Sequence, residues 1–85
     1  MIHLINCYSG IFHDTKIGDY NEIMPGAKLL GNVTIGNSCR IGTNSTILPN
    51  INICDNVVIG AGAVVTRDIT EAGTYIGIPA KKVEI

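Results

Sequence analysis

Ile35-Gly36-Asn37-Ser38-Cys39-Arg40-Ile41-Gly42-Thr43-Asn44-Ser45-Thr46-Ile47 places an aliphatic residue at every sixth position. The spacing extends in both directions: Ile5, Ile11, Ile17, Ile23 and Leu29 precede this stretch, and Ile53, Ile59 and Val65 follow it. Eleven consecutive hits, nine of them Ile, run without an insertion, and the next member would be Glu71, where the pattern stops. With the aliphatic residue as place 1 of a hexad, Gly fills place 2 at Gly18, Gly36, Gly42 and Gly60. Place 5 carries no charge anywhere and is mostly small or β-branched, from Ser9 and Thr15 through Cys39 and Ser45 to Ala63 and Ile69.

A period of six matches neither the 3.6-residue face of an α-helix nor the simple alternation of a hairpin strand. It fits short strands joined by corners and wound as a parallel β-helix, with places 1 and 5 facing inward. Three hexads per coil put residues eighteen apart in vertical register, about 4.8 Å from one another. Two columns at that spacing have the composition of corners that need positive φ: Asp14, Asn32, Asn50 and Asp68, and Gly26, Asn44 and Gly62. The fold class expected is therefore all-β, a helix of about four triangular coils. Repeats occupy residues 5–70 and an irregular tail, residues 71–85, folds back over the last coil. The first coil starts almost at once, which predicts a bare strand layer and with it either a missing N-terminal domain or a piece cut from a longer chain.

Composition narrows the function classes. The 85 residues include fifteen Ile, no Trp and one Phe, so the core is aliphatic, and charged residues are only 15% of the chain. A net charge of −1 offers no basic patch for nucleic acid, and no apolar run is long enough to span a bilayer. The start lacks the basic region of a secretion signal. Three Cys without CxxC spacing point to reduced thiols and the cytoplasm. His3 and His13 are ten apart, and Cys7, Cys39 and Cys54 fall on different hexad places, so no three ligands converge for zinc catalysis.

Several stretches resemble the left-handed β-helix acyltransferases of the hexapeptide-repeat superfamily. These are Ile11-Phe12-His13-Asp14 through Ile17-Gly18-Asp19-Tyr20, Pro25-Gly26-Ala27, and Gly31-Asn32-Val33-Thr34-Ile35-Gly36. The closing runs Ile59-Gly60-Ala61-Gly62-Ala63-Val64-Val65-Thr66 and Gly77-Ile78-Pro79-Ala80 resemble that superfamily's signatures as well. The nearest branch is the one that acetylates sialic acid or nucleotide-linked amino sugars. The resemblance implies a left-handed coil, a homotrimer, acetyl-CoA in a groove between neighbouring prisms, and a sugar acceptor. The family's N-terminal substrate-binding domain is absent from these 85 residues.

The resemblance also implies a site. His13 takes the position of the catalytic histidine, the best single base near neutral pH, and Asp14 that of the carboxylate supporting it. Gly31, eighteen residues beyond His13, matches the glycine whose amide meets the oxyanion. Thr43 and Ala61, in a column with Pro25 and Pro79, match positions that touch acetyl-CoA through their backbone. Glu22 stands where the branch carries a second histidine close to the cofactor. It also lies eighteen residues below Arg40, which predicts a surface ion pair. Lys81 and Lys82 are candidates for the CoA phosphates, or simply exposed lysines. The functions to separate are an acetyltransferase or its catalytic fragment, and a non-catalytic trimeric scaffold.

Overall fold

The computed structural model describes residues 3–5, 10–11 and 14–83. Thirteen short strands are found there. In chain order they are β1 (His3–Ile5), β2 (Gly10–Ile11), β3 (Lys16–Ile17), β4 (Asn21–Ile23), β5 (Lys28–Leu29), β6 (Thr34–Ile35), β7 (Arg40–Ile41) and β8 (Thr46–Ile47). They continue with β9 (Asn52–Ile53), β10 (Val57–Ile59), β11 (Val64–Val65), β12 (Gly73–Ile76) and β13 (Lys81–Lys82). Up to β11 every third strand pairs in parallel, and β12 and β13 then extend the first sheet, so the chain winds three sheets at once: β1-β4-β7-β10-β12-β13, β2-β5-β8-β11 and β3-β6-β9. Partners such as Ile23↔Ile41, Leu29↔Ile47 and Ile35↔Ile53 are eighteen residues apart, as the hexads predict.

Places 1 and 5 fill the interior. From Asn21 to Ile69 every residue at those places up to Val65 is buried, with Ile23, Leu29, Ile41 and Ile47 wholly so. Two polar residues enter this core, and each is satisfied. Asn21 donates through Nδ2 to the Gly36 carbonyl at 2.9 Å and accepts from the Cys39 amide at 2.7 Å. Ser45 donates to the Gly42 carbonyl at 2.7 Å. Cys39 repeats the geometry of Asn21 one coil on, its thiol donating to the Cys54 carbonyl at 3.2 Å. The Cys39 thiol thus meets the backbone of Cys54. A place-5 side chain reaches the place-2 carbonyl of the coil beyond. Burial pushes the Cys39 thiol up from its ordinary pKa.

The corners are more regular than composition suggests. Place 4 has positive φ nine times in succession: Asp14, Tyr20, Gly26, Asn32, Ser38, Asn44, Asn50, Asn56 and Gly62. The column Tyr20, Ser38 and Asn56 was not legible as a corner, since neither Tyr nor Ser favours the left-handed region. At Gly26 (φ 78°) a Cβ would also meet the Asn44 side chain above it.

The eighteen-residue register holds as far as Val64↔Thr46 and Val65↔Ile47 and is then shortened by two. Ile69 bridges Ile53, and Val57 pairs with Gly73, both sixteen apart. The corner between Val65 and Ile69 has contracted, so Ile69 takes place 1 instead of place 5. Asp68 therefore leaves its expected column, and its Oδ1 accepts the Asn52 amide at 2.8 Å. The spacing from Ala61 to Pro79 likewise ceases to mean stacking. The tail does fold back. β12 extends the first sheet and β13 returns antiparallel along it, Tyr75 facing Lys82. The turn at 77–80 engages Val64, whose amide donates to Gly77 (3.1 Å) and whose carbonyl accepts from Ala80 (2.8 Å).

The Ile41→Ala change removes a fully buried side chain that sits between Ile23 and Ile59 in its column. It should lower unfolding stability by about 2–5 kcal/mol, read as a shift of the urea midpoint at unchanged slope. In the tail, Lys82 Nζ lies 2.6 Å from Glu71 Oε1 and holds that carboxyl below its ordinary pKa. A depressed carboxylate contributes stability above the ordinary Glu range that is lost as pH falls through its folded pKa. Glu71→Gln should therefore flatten the acid limb of stability against pH, measured by thermal unfolding across a pH series.

Candidate active site

The backbone ladder between coils does not take up the place-3 amide just before each corner. Along one prism edge a side chain from the next coil does this for Asp19 and Asn37, though not for Asp55. The Asp19 amide donates to Asn37 Oδ1 and the Asn37 amide to Asp55 Oδ1, each at 2.7 Å. The other two edges differ. Above Gly31 stands Pro49 and above Thr43 stands Ala61, neither with an acceptor on its side chain. The amides of Gly31, Thr43 and Ala61 donate to none of the described residues.

The vertical relation is the same at all three edges. In each, the place-4 amide of the upper coil donates to the place-3 carbonyl below: Asn56 to Asn37 (2.9 Å), Gly62 to Thr43 (2.8 Å) and Asn50 to Gly31 (3.1 Å). The edges differ instead in the side chain eighteen residues on and, at Gly31, in place 2, where Leu30 stands instead of the glycines of the capped edge. Gly31 also has φ of 36°, followed by Asn32 at 56°, two successive left-handed residues where the capped places have one. Both open edges border the sheet β2-β5-β8-β11. The capped edge lies opposite it, between the other two sheets.

The residues singled out from sequence fall as follows. His13 lies outside the described residues; the last in-register pair before it is Ile11↔Leu29. Asp14 is an exposed corner residue with φ of 59°. Gly31, Thr43 and Ala61 are the open place-3 positions just described. Glu22 sits on β4, and its Oε1 is 3.3 Å from Arg40 Nη2, in the register pair Glu22↔Arg40. Lys82 is engaged by Glu71, whereas Lys81 is exposed on β13. Sequence reasoning picked out Gly31, Thr43 and Ala61 by resemblance but missed Pro49. The signal was present in the sequence: its column of His13, Gly31 and Pro49 carries no Asp or Asn at Pro49, unlike Asp19, Asn37 and Asp55.

The family description "Bacterial transferase hexapeptide (six repeats)" matches residues 14–48 and 32–67, which together make more than half of the chain. The chain belongs to the hexapeptide-repeat transferase family. Among solved structures, a serine acetyltransferase in complex with CoA superposes with TM-score 0.89 at 26% identity, covering 95% of this chain and 36% of that one. The acetyltransferase domain of PglB from Neisseria gonorrhoeae FA1090, in complex with acetyl coenzyme A, gives 0.73 at 25%, covering 95% and 57%. A variant of perosamine N-acetyltransferase from Caulobacter crescentus, in complex with CoA and GDP-perosamine, gives 0.76 at 19%, covering 100% and 58%. The chain thus spans less than two thirds of the length of these proteins. The fold they share is the left-handed parallel β-helix of acyltransferases, which fixes the hand that the hexad period alone leaves open. Among the described residues no helix is long and apolar enough to cross a membrane.

Both partners of the Glu22–Arg40 pair are substantially solvated, with side chains 38% and 59% exposed. A double-mutant cycle with Glu22→Gln and Arg40→Gln should give a coupling of about 0–1 kcal/mol that shrinks as salt is raised. In alkylation followed by peptide mass mapping, half-buried Cys54 should react before Cys39, a buried residue whose thiol pKa is raised by that burial.

Proposed function

We propose that this chain is the catalytic β-helix of an acetyl-CoA-dependent acetyltransferase acting on an amine or hydroxyl of a sugar, a nucleotide-linked amino sugar in particular. It works in the cytoplasm as a homotrimer with acetyl-CoA lying between neighbouring prisms. The observation that carries the reading is the set of unspent amides at Gly31, Thr43 and Ala61. Outward N–H groups on a rigid β-sheet scaffold are what a pantetheine arm and a thioester carbonyl require as donors. Membership of the transferase family and the CoA held by the solved relatives support it.

In this reading His13 is the general base. It removes the proton of the acceptor amine or hydroxyl as that atom attacks the thioester carbonyl, a role worth about 10²–10⁴-fold in rate. Asp14, next in sequence and fixed at a corner, orients the imidazole and steadies its positive charge. The carbonyl oxygen gains negative charge as the new bond forms, and the Gly31 amide donates to it. Such a donor contributes about 10²–10³-fold, because it is oriented before the charge appears. The carbon–sulfur bond then breaks, and the departing thiolate recovers the proton held by His13. Thr43 and Ala61 contribute backbone donors to the pantetheine amides, and Lys81 stands free of the ion pair that occupies Lys82. Glu22 is held by Arg40 and does not take the part of a second imidazole.

Titration of acetyl-CoA into the purified chain, with native mass measured on the same sample, tests the assembly. A trimer with about one site per chain supports the groove. A trimer without binding favours the scaffold reading. For the chemistry, His13→Ala should leave acetyl-CoA affinity within about threefold of the parent while turnover on amino-sugar nucleotides falls by about 10²–10⁴. An unchanged rate would remove His13 from the mechanism.

A further inference from the structure

We propose that Pro49 and Ala61 are positioning residues. By withholding a side-chain acceptor above Gly31 and Thr43, they keep two outward amides free for the acyl-CoA ligand. This rests on the functional reading above and extends it to residues that need make no contact with substrate through their own side chains.

The argument is a comparison internal to the prism. The three edges share one construction, a place-3 residue whose carbonyl accepts from the place-4 amide of the coil above. At the edge of Asp19, Asn37 and Asp55 the side chain above turns down and takes the amide below, twice, at 2.7 Å. Both Asn and Asp perform this, so a neutral amide oxygen suffices. A Cβ on Gly36 would collide with Asp55 Oδ1, and one on Gly18 with Asn37 Oδ1, so the capping side chains occupy the space that the place-2 glycines vacate. An amide left without a partner costs stability unless solvent or a ligand supplies one. Capping is evidently available to this chain, and it is used only on the edge away from the sheet β2-β5-β8-β11. On the two edges flanking that sheet, Pro and Ala stand where Asn or Asp would close the amide off. Pro49 does so most completely, since its ring neither accepts a hydrogen bond nor donates one from its nitrogen.

The test installs the missing cap. Pro49→Asn, made with Leu30→Gly to vacate the place-2 space that Gly18 and Gly36 leave at the capped edge, places an amide oxygen above Gly31, and Pro49→Ala in the same Leu30→Gly background removes the proline without supplying an acceptor. Hydrogen exchange at the Gly31 amide, followed by NMR on the whole chain with and without acetyl-CoA, is the readout. Ala61→Asn read at Thr43 repeats the test on the second edge. The expected result is an amide slowed by about tenfold in the Asn variant and by less than about twofold in the Ala variant. Acetyl-CoA should protect the Gly31 amide in the parent and in Pro49→Ala, and add no protection in Pro49→Asn. If the amide in Pro49→Asn exchanges as in the parent, the positioning role is overturned, because the side chain does not reach it. If Pro49→Ala slows exchange as much as Pro49→Asn, the missing acceptor is not the cause and the proposal also falls. If the cap forms as expected but acetyl-CoA never protects Gly31 in the parent, the functional reading fails while the capping rule itself survives. A variant that unfolds is recognised by loss of the dispersed spectrum. In that case Ala61→Asn at Thr43 decides, by the same criteria.

Discussion

Each coil of this protein is hydrogen-bonded almost entirely to the coils above and below it, and that vertical pairing is the constraint from which the rest follows. Strands of two or three residues have no stability of their own. They persist because place 6 and place 2 amides donate one coil along, as Lys28 does to Ser45 and Leu30 to Ile47. The ladder demands a constant number of residues per coil. It also demands a corner at a fixed place and a side chain of nearly constant volume at the same height on every face. The repeated Ile column meets the last demand, and the left-handed residue at place 4 meets the second. Tyr20 and Ser38 adopt positive φ because the ladder fixes the corner whatever residue occupies it. The cost of the left-handed conformation, about 1 kcal/mol for such residues, is borne by the pairing on either side.

Breaking the repeat is as informative as keeping it. Between Val65 and Ile69 two residues are missing from the coil, and from that point the stacking interval is sixteen. The contraction lets the chain leave the helical path: β12 still pairs in parallel with β10, but β13 turns back antiparallel. A free parallel edge is a template for another chain, and a returning strand covers it. The solenoid thus ends through a local change of register, with Glu71 and Lys82 closing the returning strand.

The sequence made the eighteen-residue register, the inward places and the Glu22–Arg40 pair readable, because each depends only on a period and on residue type. Ile69 shows where that reading runs out. It is aliphatic, so it suits place 5 of an unbroken repeat and place 1 of a contracted one equally well, and only the pairing with Ile53 distinguishes them. Asp68 and Pro79 were misplaced for the same reason, since both lie beyond the contraction. The contact between Cys39 and Cys54 was hidden differently. It joins places 5 and 2 of different coils, fifteen residues apart, an interval that no column displays. For the site, resemblance marked Gly31, Thr43 and Ala61, whereas the physical property they share is a missing partner, visible only when every amide is traced to its acceptor.

That property links fold and chemistry in one account. A β-helix is a poor place to find reactive backbone, since its pairing consumes nearly every donor. The corners are the exception, because there the amide before the turn finds no backbone acceptor among the described residues. A protein of this shape can dispose of such a donor by capping it, as Asn37 and Asp55 do, or leave it open and rigidly aimed. The second choice sacrifices a hydrogen bond worth about 1 kcal/mol per position but costs no reorganisation when charge develops on a ligand oxygen. The choice is encoded by one side chain, eighteen residues downstream of the amide it governs. Eighteen-residue columns are therefore the unit in which this sequence specifies both its stability and the pairing of its corner amides, with Asp and Asn marking the edge that is capped and Pro and Ala the edges that are left open.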